Sequence, residues 1–220
     1  MMSAFRQIVP LLFVLVLGGC AAPQPYDYTA YRANRPASIV VLPVLNSSLE
    51  VAAGYAVLSR ATYPLAEAGY YVFPVALVDE TFKQNGLTAA HDIHNVPLHK
   101  LREIFGADAA LYLEVTEYGA SYKVVSSEVR VTAKARLVDL RSGDLLWAGE
   151  STASTAEDQN QGGSSNVLGV LISAVVNQII NTVDEDLGYR VAGITTQRLL
   201  GAHNSRGLLY GSRSPKYQSD

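Results

Sequence analysis

The sequence predicts an α/β (α+β) fold. A mixed sheet starts from a βαβ unit, continues through a helix into an antiparallel β-meander, carries helices packed on it, and is followed by C-terminal helices. Three observations predict it. Ser38 to Leu45 is a nearly continuous apolar run of strand length, the pattern of a strand covered on both faces. Residues 109–116 and 129–137 alternate apolar and polar side chains, the pattern of antiparallel strands with one wet face. The stretches between them place apolar residues three and four apart, the helical period.

The chain opens with an export signal. Met1 to Arg6 carries a single positive charge, and Ile8 to Leu17 is almost wholly apolar. That run is about half of the ~20 residues a membrane-spanning helix needs. A positive start, a short apolar run and small residues make residues 1–19 a signal peptide. Leu17-Gly18-Gly19-Cys20 closes it. An apolar residue, two small ones and a cysteine resemble the bacterial lipobox, in which Leu17, Gly18 and Gly19 are the signal-peptidase recognition residues. The resemblance implies a diacylglycerol and an N-acyl chain (palmitate) on Cys20, which becomes the new N-terminus. Each buried CH₂ contributes about 0.8 kcal/mol, so two or three chains hold a protein on a bilayer. Ala21, in place of the aspartate that retains such lipoproteins at the inner membrane, implies the outer membrane, with the domain facing the periplasm or the cell surface.

Ala21 to Pro36 has three prolines, three tyrosines (Tyr26, Tyr28, Tyr31) and no aliphatic run, so residues 20–36 read as a flexible tether. The tyrosines either pack on the domain edge or bind a partner. A single α/β domain spans 37–200. Pro43 suits a strand end, bulge or edge. Asn46-Ser47-Ser48 offers helix caps, and Leu49 to Ala68 is helical, with Pro64 kinking it or starting a second helix. Gly69 closes that helix before a strand at Tyr70–Val75. Ala76–Gln84 and Pro97–Phe105 are further helices, the second with Leu98, Leu101, Ile104 and Phe105 on one side. Gly119 turns the chain between the two alternating strands, and Arg141-Ser142-Gly143-Asp144 turns it into a third strand at 145–149.

Residues 157–166 are polar and Gly/Ser-rich, a mobile loop. Val167 to Val183 is strongly apolar, and Gly169, Ser173, Asn177 and Asn181 fall four apart on one narrow helical face. So wide an apolar surface is buried either under the sheet or against another subunit. Val167, Leu168, Val170, Leu171, Val175 and Ile179 are the candidate oligomer interface, giving a homodimer or larger ring, with the exposed sheet edge beside it. Asp184-Glu185-Asp186 marks the wet end of that helix, and a short helix follows at 191–200. Residues 201–220 are a loosely ordered tail.

Two motifs carry a resemblance. Leu101-Arg102-Glu103-Ile104-Phe105-Gly106-Ala107-Asp108 runs straight into Ala109-Ala110-Leu111-Tyr112-Leu113, and residues 136–147 form a strand, Val138-Asp139, Gly143 turn, strand hairpin. Both resemble the periplasmic α/β domain of the curli-secretion lipoprotein, of the lipoprotein activators of cell-wall synthases, and of the N-terminal domain of the Tol-system translocation protein. Over residues 20–215 the chain resembles a family of Gram-negative outer-membrane lipoproteins that includes a neisserial surface-antigen lipoprotein. The resemblance implies an accessory role in outer-membrane assembly or secretion, with a curli-secretion-type lipoprotein as a partner. The secretion lipoprotein's pore needs paired lipid-facing strands, and the sequence offers no such long pair.

Composition excludes some chemistry. A net charge of −3 argues against a generic nucleic-acid binder, which needs clustered Lys and Arg against phosphates. With one cysteine there is no internal disulfide and no multi-cysteine zinc site. His91, His94 and His99 with Asp92 resemble metal donors in type but lack the i, i+4 helical spacing, so they read as solvated loop histidines and no metal is expected. No Gly-x-Ser-x-Gly, Walker loop or Gly-x-Gly-x-x-Gly is present, and Gly162-Gly163-Ser164-Ser165 reads as linker. Glu114 and Glu117, three apart on a strand, should face opposite ways and form no acid/base pair. Arg130, Lys134 and Arg136 share one face as a basic stripe that meets solvent, anionic headgroups or an acidic partner. The expected function is a lipid-anchored, non-enzymatic envelope lipoprotein with no cofactor beyond the acyl chains on Cys20. The alternative is a lipid-anchored hydrolase or small-ligand-binding component with its site at the C-terminal strand ends, where α/β sheets bind ligands.

Overall fold

The computed structural model describes residues 26–122, 127–157, 184–204 and 206–219. Six strands form one mixed sheet, in the order β3-β1-β4-β5-β6, with β2 also on β4. They are β1 (Ser38–Val41), β2 (Leu45–Asn46), β3 (Tyr71–Val72), β4 (Ala109–Tyr122), β5 (Ser127–Asp139) and β6 (Leu145–Ser154). β1 runs parallel to β3 and β4, and β4, β5 and β6 form the antiparallel meander. The helices are α1 (Thr29–Asn34), α2 (Ala53–Glu67), α3 (Val75–Gln84), α4 (Ala90–His94), α5 (Leu98–Phe105) and α6 (Asp184–Leu200). This is the mixed α/β sheet with packed helices and a C-terminal helix that the sequence pattern predicts.

The continuous apolar run of β1 is explained by its position. Val40 and Leu42 face one apolar cluster, Ile39 and Val41 the other, and all four are fully buried. The larger cluster joins β1 and the odd-numbered side of β4 and β5 to α2, α6 and Trp147. The smaller one lies on the opposite face, under Val78, Phe82, Ile93 and Leu101 of α3, α4 and α5. It covers only Ala110 and Tyr112 on β4 and Val138 on β5. The meander runs on past this cover, so half of that sheet face has no helix of the cluster over it.

Several elements differ from the sequence expectation for physical reasons. Pro43 divides the run into β1 and β2, because a residue without an N–H cannot continue a central ladder. Pro64 neither breaks α2 nor starts a second helix. It sits in the last turn, where it removes a single intrahelical bond, the one to the Arg60 carbonyl, and its own carbonyl still accepts from Ala68 N. The strand expected at 70–75 is reduced to Tyr71–Val72. His91 and His94 lie in the one-turn helix α4 rather than in a loop. Gly119 does not turn the chain. It lies within β4 at φ +105° opposite Arg130, and the strand continues to Tyr122. The described part of the last helix begins at Asp184, seven residues before the expected start at Val191.

Both ends of the described chain are packed where the sequence suggested tether and tail. Tyr31 is 2% exposed, and its hydroxyl pairs with that of Tyr70 at 2.5 Å. Tyr26 and Tyr28 pack against the same cluster. Leu208 and Leu209 are buried in it too. Trp147 Nε1 donates to the carbonyl of Arg206 (2.9 Å), Tyr28 OH to that of Gly207 (2.6 Å), and Tyr70 OH to that of Leu209. Neither segment has the periodicity that announces burial, because each is held by partners 39 to 179 residues away.

Candidate functional site

The half of this sheet face with none of the described helices over it is built by alternation. Even-numbered residues of β5 project there, since Val129, Val131, Ala133, Ala135 and Leu137 are buried in the larger cluster; of them Lys134 and Arg136 are exposed, whereas Glu128 and Thr132 are buried. The strand register sets two rows across it. Glu114, Lys134 and Glu150 lie side by side on β4, β5 and β6; next to them lie Tyr112, Arg136 and Ala148. No ion pair among the described residues takes up Glu114, Lys134, Arg136 or Glu150. Arg130 alone of the basic stripe is paired, with Glu128 at 2.9 Å. The stripe is therefore one rib of a face that alternates in charge.

Glu114 and Glu117 correct the spacing argument. Glu114 sits opposite Lys134 and Glu117 opposite Thr132, two positions apart on β5, so both carboxylates are on one face. A bulge between Val115 and Glu117 supplies the extra residue that shifts the phase. Ser47 Oγ donates to Glu114 (2.9 Å) and Thr132 Oγ1 to Glu117 (2.7 Å).

A cleft of about 390 Å³ lies at the edge of the uncovered area, lined by His94, Tyr112, Glu114, Lys134, Arg136 and Glu150. His94 is not a solvated loop residue. Its Nε2 is 2.8 Å from the Pro43 carbonyl, which only accepts, so Nε2 carries the proton. Its ring stands edge-on to Tyr112, with centroids 5.1 Å apart. Burial pushes the His94 pKa below the ordinary histidine value against the opposing hydrogen bond to Pro43, and Arg136 adds to the lowering. Burial also pushes the Tyr112 phenol above its ordinary value. The Arg136 guanidinium lies over the Tyr112 ring at 5.2 Å. His91 is 3.7 Å from Asp92, both exposed. Neither His91 nor His94 is hydrogen-bonded to a hydroxyl in the contacts described, and no group of His, Cys, Asp and Glu among the described residues is arranged to hold a metal ion.

The edge strand β6 is not the free edge the sequence suggested. Ala148 N donates to Tyr26 OH (2.8 Å), Arg198 Nη1 donates to the Thr152 carbonyl (3.0 Å), and Ser154 N donates to Glu157 (3.1 Å). Arg198 and Glu157 pair with each other at 2.7 Å. Side chains thus occupy the groups through which an added strand would pair. At the other edge β3 is only two residues long. The caps from Tyr26 and Arg198 were not visible locally, since these residues come from distant segments.

Leu17, Gly18, Gly19 and Cys20 lie outside the described residues, as do Gly162–Ser165 and the interface candidates Val167, Leu168, Val170, Leu171, Val175 and Ile179. Among the described residues no helix is long and apolar enough to cross a membrane.

Comparison with known proteins gives this geometry its relatives. The chain is 50% identical over 208 residues to lipoprotein NMB1124/NMB1162 of Neisseria meningitidis serogroup B, covering 94% of this chain and 95% of the relative. The crystal structure of lipoprotein GNA1162 from Neisseria meningitidis is 53% identical, covers 65% of this chain and 97% of its own, and superposes with a TM-score of 0.53. A PelC dodecamer structure from Paraburkholderia phytofirmans is 16% identical, covers 74% of this chain and 89% of its own, and has a TM-score of 0.39. The lipoprotein family described as GNA1162-like matches residues 26–213, from the first tyrosine of the packed entry segment to the docked tail, and this chain belongs to it.

Proposed function

We propose that this chain is a lipoprotein held on the outer membrane by acyl chains on Cys20, and that its uncovered sheet face docks another envelope protein. It acts as an accessory in assembly or secretion rather than as a catalyst. The observation that carries the reading is the half-covered sheet face: Glu114, Lys134, Arg136 and Glu150 stand on rigid, paired strands without ion-pair partners among the described residues. Alternating charge fixed on a rigid platform selects a partner by complementarity and steers its approach. Membership of a lipoprotein family supports the anchor. Val167–Val183 is the proposed contact for a homodimer or larger ring, and a curli-secretion-type lipoprotein is the proposed class of partner.

The test is site-specific photo-crosslinking in living cells, with the reactive residue at Arg136 or Glu150 and a control at the exposed Leu77 of α3. A discrete protein adduct from the sheet positions, absent from the control and lost with Lys134→Glu, is the expected result. Equal background from all positions refutes the docking face. Cys20→Ala releases the protein from the membrane fraction if the anchor is correct.

A further inference from the structure

We infer that the end of the domain where the chain arrives from its anchor is a membrane-docking face that binds anionic phospholipid headgroups. The inference rests on the reading that Cys20 is acylated. Only residues 21–25 separate Cys20 from Tyr26, whose hydroxyl is bound by Ala148 N. Six residue steps, fully extended, span at most about 20 Å. Ala148 is level with Arg136 and Tyr112. At about 3.3 Å per residue this level is about 10 Å from the start of β4 at Ala109, and about 20 Å from Gly119 towards its far end. The end that holds Ala109, Ser38 and Tyr71 is therefore the one a short tether brings to the bilayer.

Two segments distant in sequence are laid on that end. α1 and Arg35 lead into β1, where Ser38 pairs with Tyr71. The tail returns beside them, with Gly211 N donating to Ala68 O (2.8 Å) and Arg213 N to Gly69 O (3.1 Å). Four cations here lie over tyrosine rings: Arg32 over Tyr28 at 5.8 Å, Arg35 over Tyr217 at 5.4 Å, Arg213 over Tyr71 at 5.2 Å, and Lys216 over Tyr210 at 5.4 Å. No ion pair among the described residues takes up any of the four.

Four carboxylates of the same end are engaged locally, while the exposed Glu67 lines the same pocket as Lys216. Asp27 accepts from Thr29, Asp108 from Ala37 and Ser38, Asp139 from Arg141 and Ser142, and Asp144 from Asn34. These carboxylates keep their charge, so the end is not basic overall; what distinguishes it is that these four carboxylates are held by adjacent hydrogen-bond donors while the four cations lie over tyrosine rings. Cations beside tyrosines suit the headgroup layer, where the charge meets phosphate and the amphipathic ring sits at the level of the interface.

The experiment uses the full chain, purified from a Gram-negative host, with the mass of the Cys20 peptide read first. The acylated protein is placed in vesicles of phosphatidylcholine alone or of a three-to-one mixture with phosphatidylglycerol. Amide hydrogen exchange is then followed over residues 28–35 and 206–217. Slower exchange in the anionic vesicles only, abolished by about 0.5 M salt, is expected. Each basic group is worth roughly five-fold at an anionic surface, so R32E/R213E/K216E shifts the docking equilibrium by about a hundred-fold or more. The salt arm needs no variant and decides the matter if that protein misfolds. Identical exchange in both vesicles, or protection around the exposed Leu49, Val51 and Tyr55 instead, overturns the inference and leaves the lipoprotein reading standing. An unmodified Cys20 overturns both.

Discussion

Leu208→Ala separates a docked tail from a loose one. Leu208 is 1% exposed within the larger apolar cluster, and the backbone on either side is held by Trp147, Tyr28 and Tyr70. So tightly held a site has little freedom to collapse around a truncated side chain. Removing a buried leucine side chain to alanine costs about 2–5 kcal/mol, the lost transfer energy plus the cavity left behind. With a urea slope of about 2 kcal/mol/M, the unfolding midpoint falls by about 1–2.5 M. The melting temperature falls by roughly 2–4 °C per kcal/mol for a domain of this size. The assay is urea unfolding followed by tryptophan fluorescence, for which Trp147 at 1% exposure is a well-placed reporter. Leu77→Ala on α3 is the control, because Leu77 is 65% exposed and its loss should change stability by no more than about 0.5 kcal/mol. A Leu208→Ala shift no larger than the control's would show that the tail is not part of the core.

Two further outcomes follow from the same packing. A Cβ on Gly149 would lie 2.4 Å from Cζ2 of Trp147, a ring pinned by its bond to the Arg206 carbonyl, so Gly149→Ala should lose about 1–3 kcal/mol in the same urea assay; an unchanged midpoint would mean that the ring is free to move. For His94, burial lowers the folded pKa below the ordinary histidine value of about 6.5, so in acid the unfolded chain binds the proton more readily. Its stabilising contribution is complete above that value, declines as pH falls below it, and levels off beneath the folded pKa. His94→Gln should therefore flatten the stability profile between about pH 7 and 5, and equal slopes in both proteins would refute the assignment.

Much of the fold was legible because its causes are local. The apolar run before Pro43 needs cover on both sides and finds it. The alternation in β4 and β5 follows from a two-residue repeat. The end of α5 at Gly106 (φ +65°) and the turn at Gly143 (φ +79°) sit where only glycine is comfortable. The candidate site was legible in part. The basic stripe is on one face as its spacing requires, yet the acidic half of that face was assigned wrongly at Glu117. A single bulged residue reverses every later position of a strand, and nothing in the residue types around Thr116 announces it.

By itself the sequence determined the order and type of most elements and the lipobox-like leader, since periodicity and short motifs are properties of neighbours along the chain. Tertiary structure alone decided that the tyrosine-rich entry and the glycine-rich tail are packed, that β6 is capped by Tyr26 and Arg198, and that His94 is set edge-on to Tyr112 with Nε2 on the Pro43 carbonyl. Tyrosine, arginine and histidine are amphipathic and stable in either environment. Where they settle is chosen by whichever distant surface offers both apolar cover and a backbone group to bind.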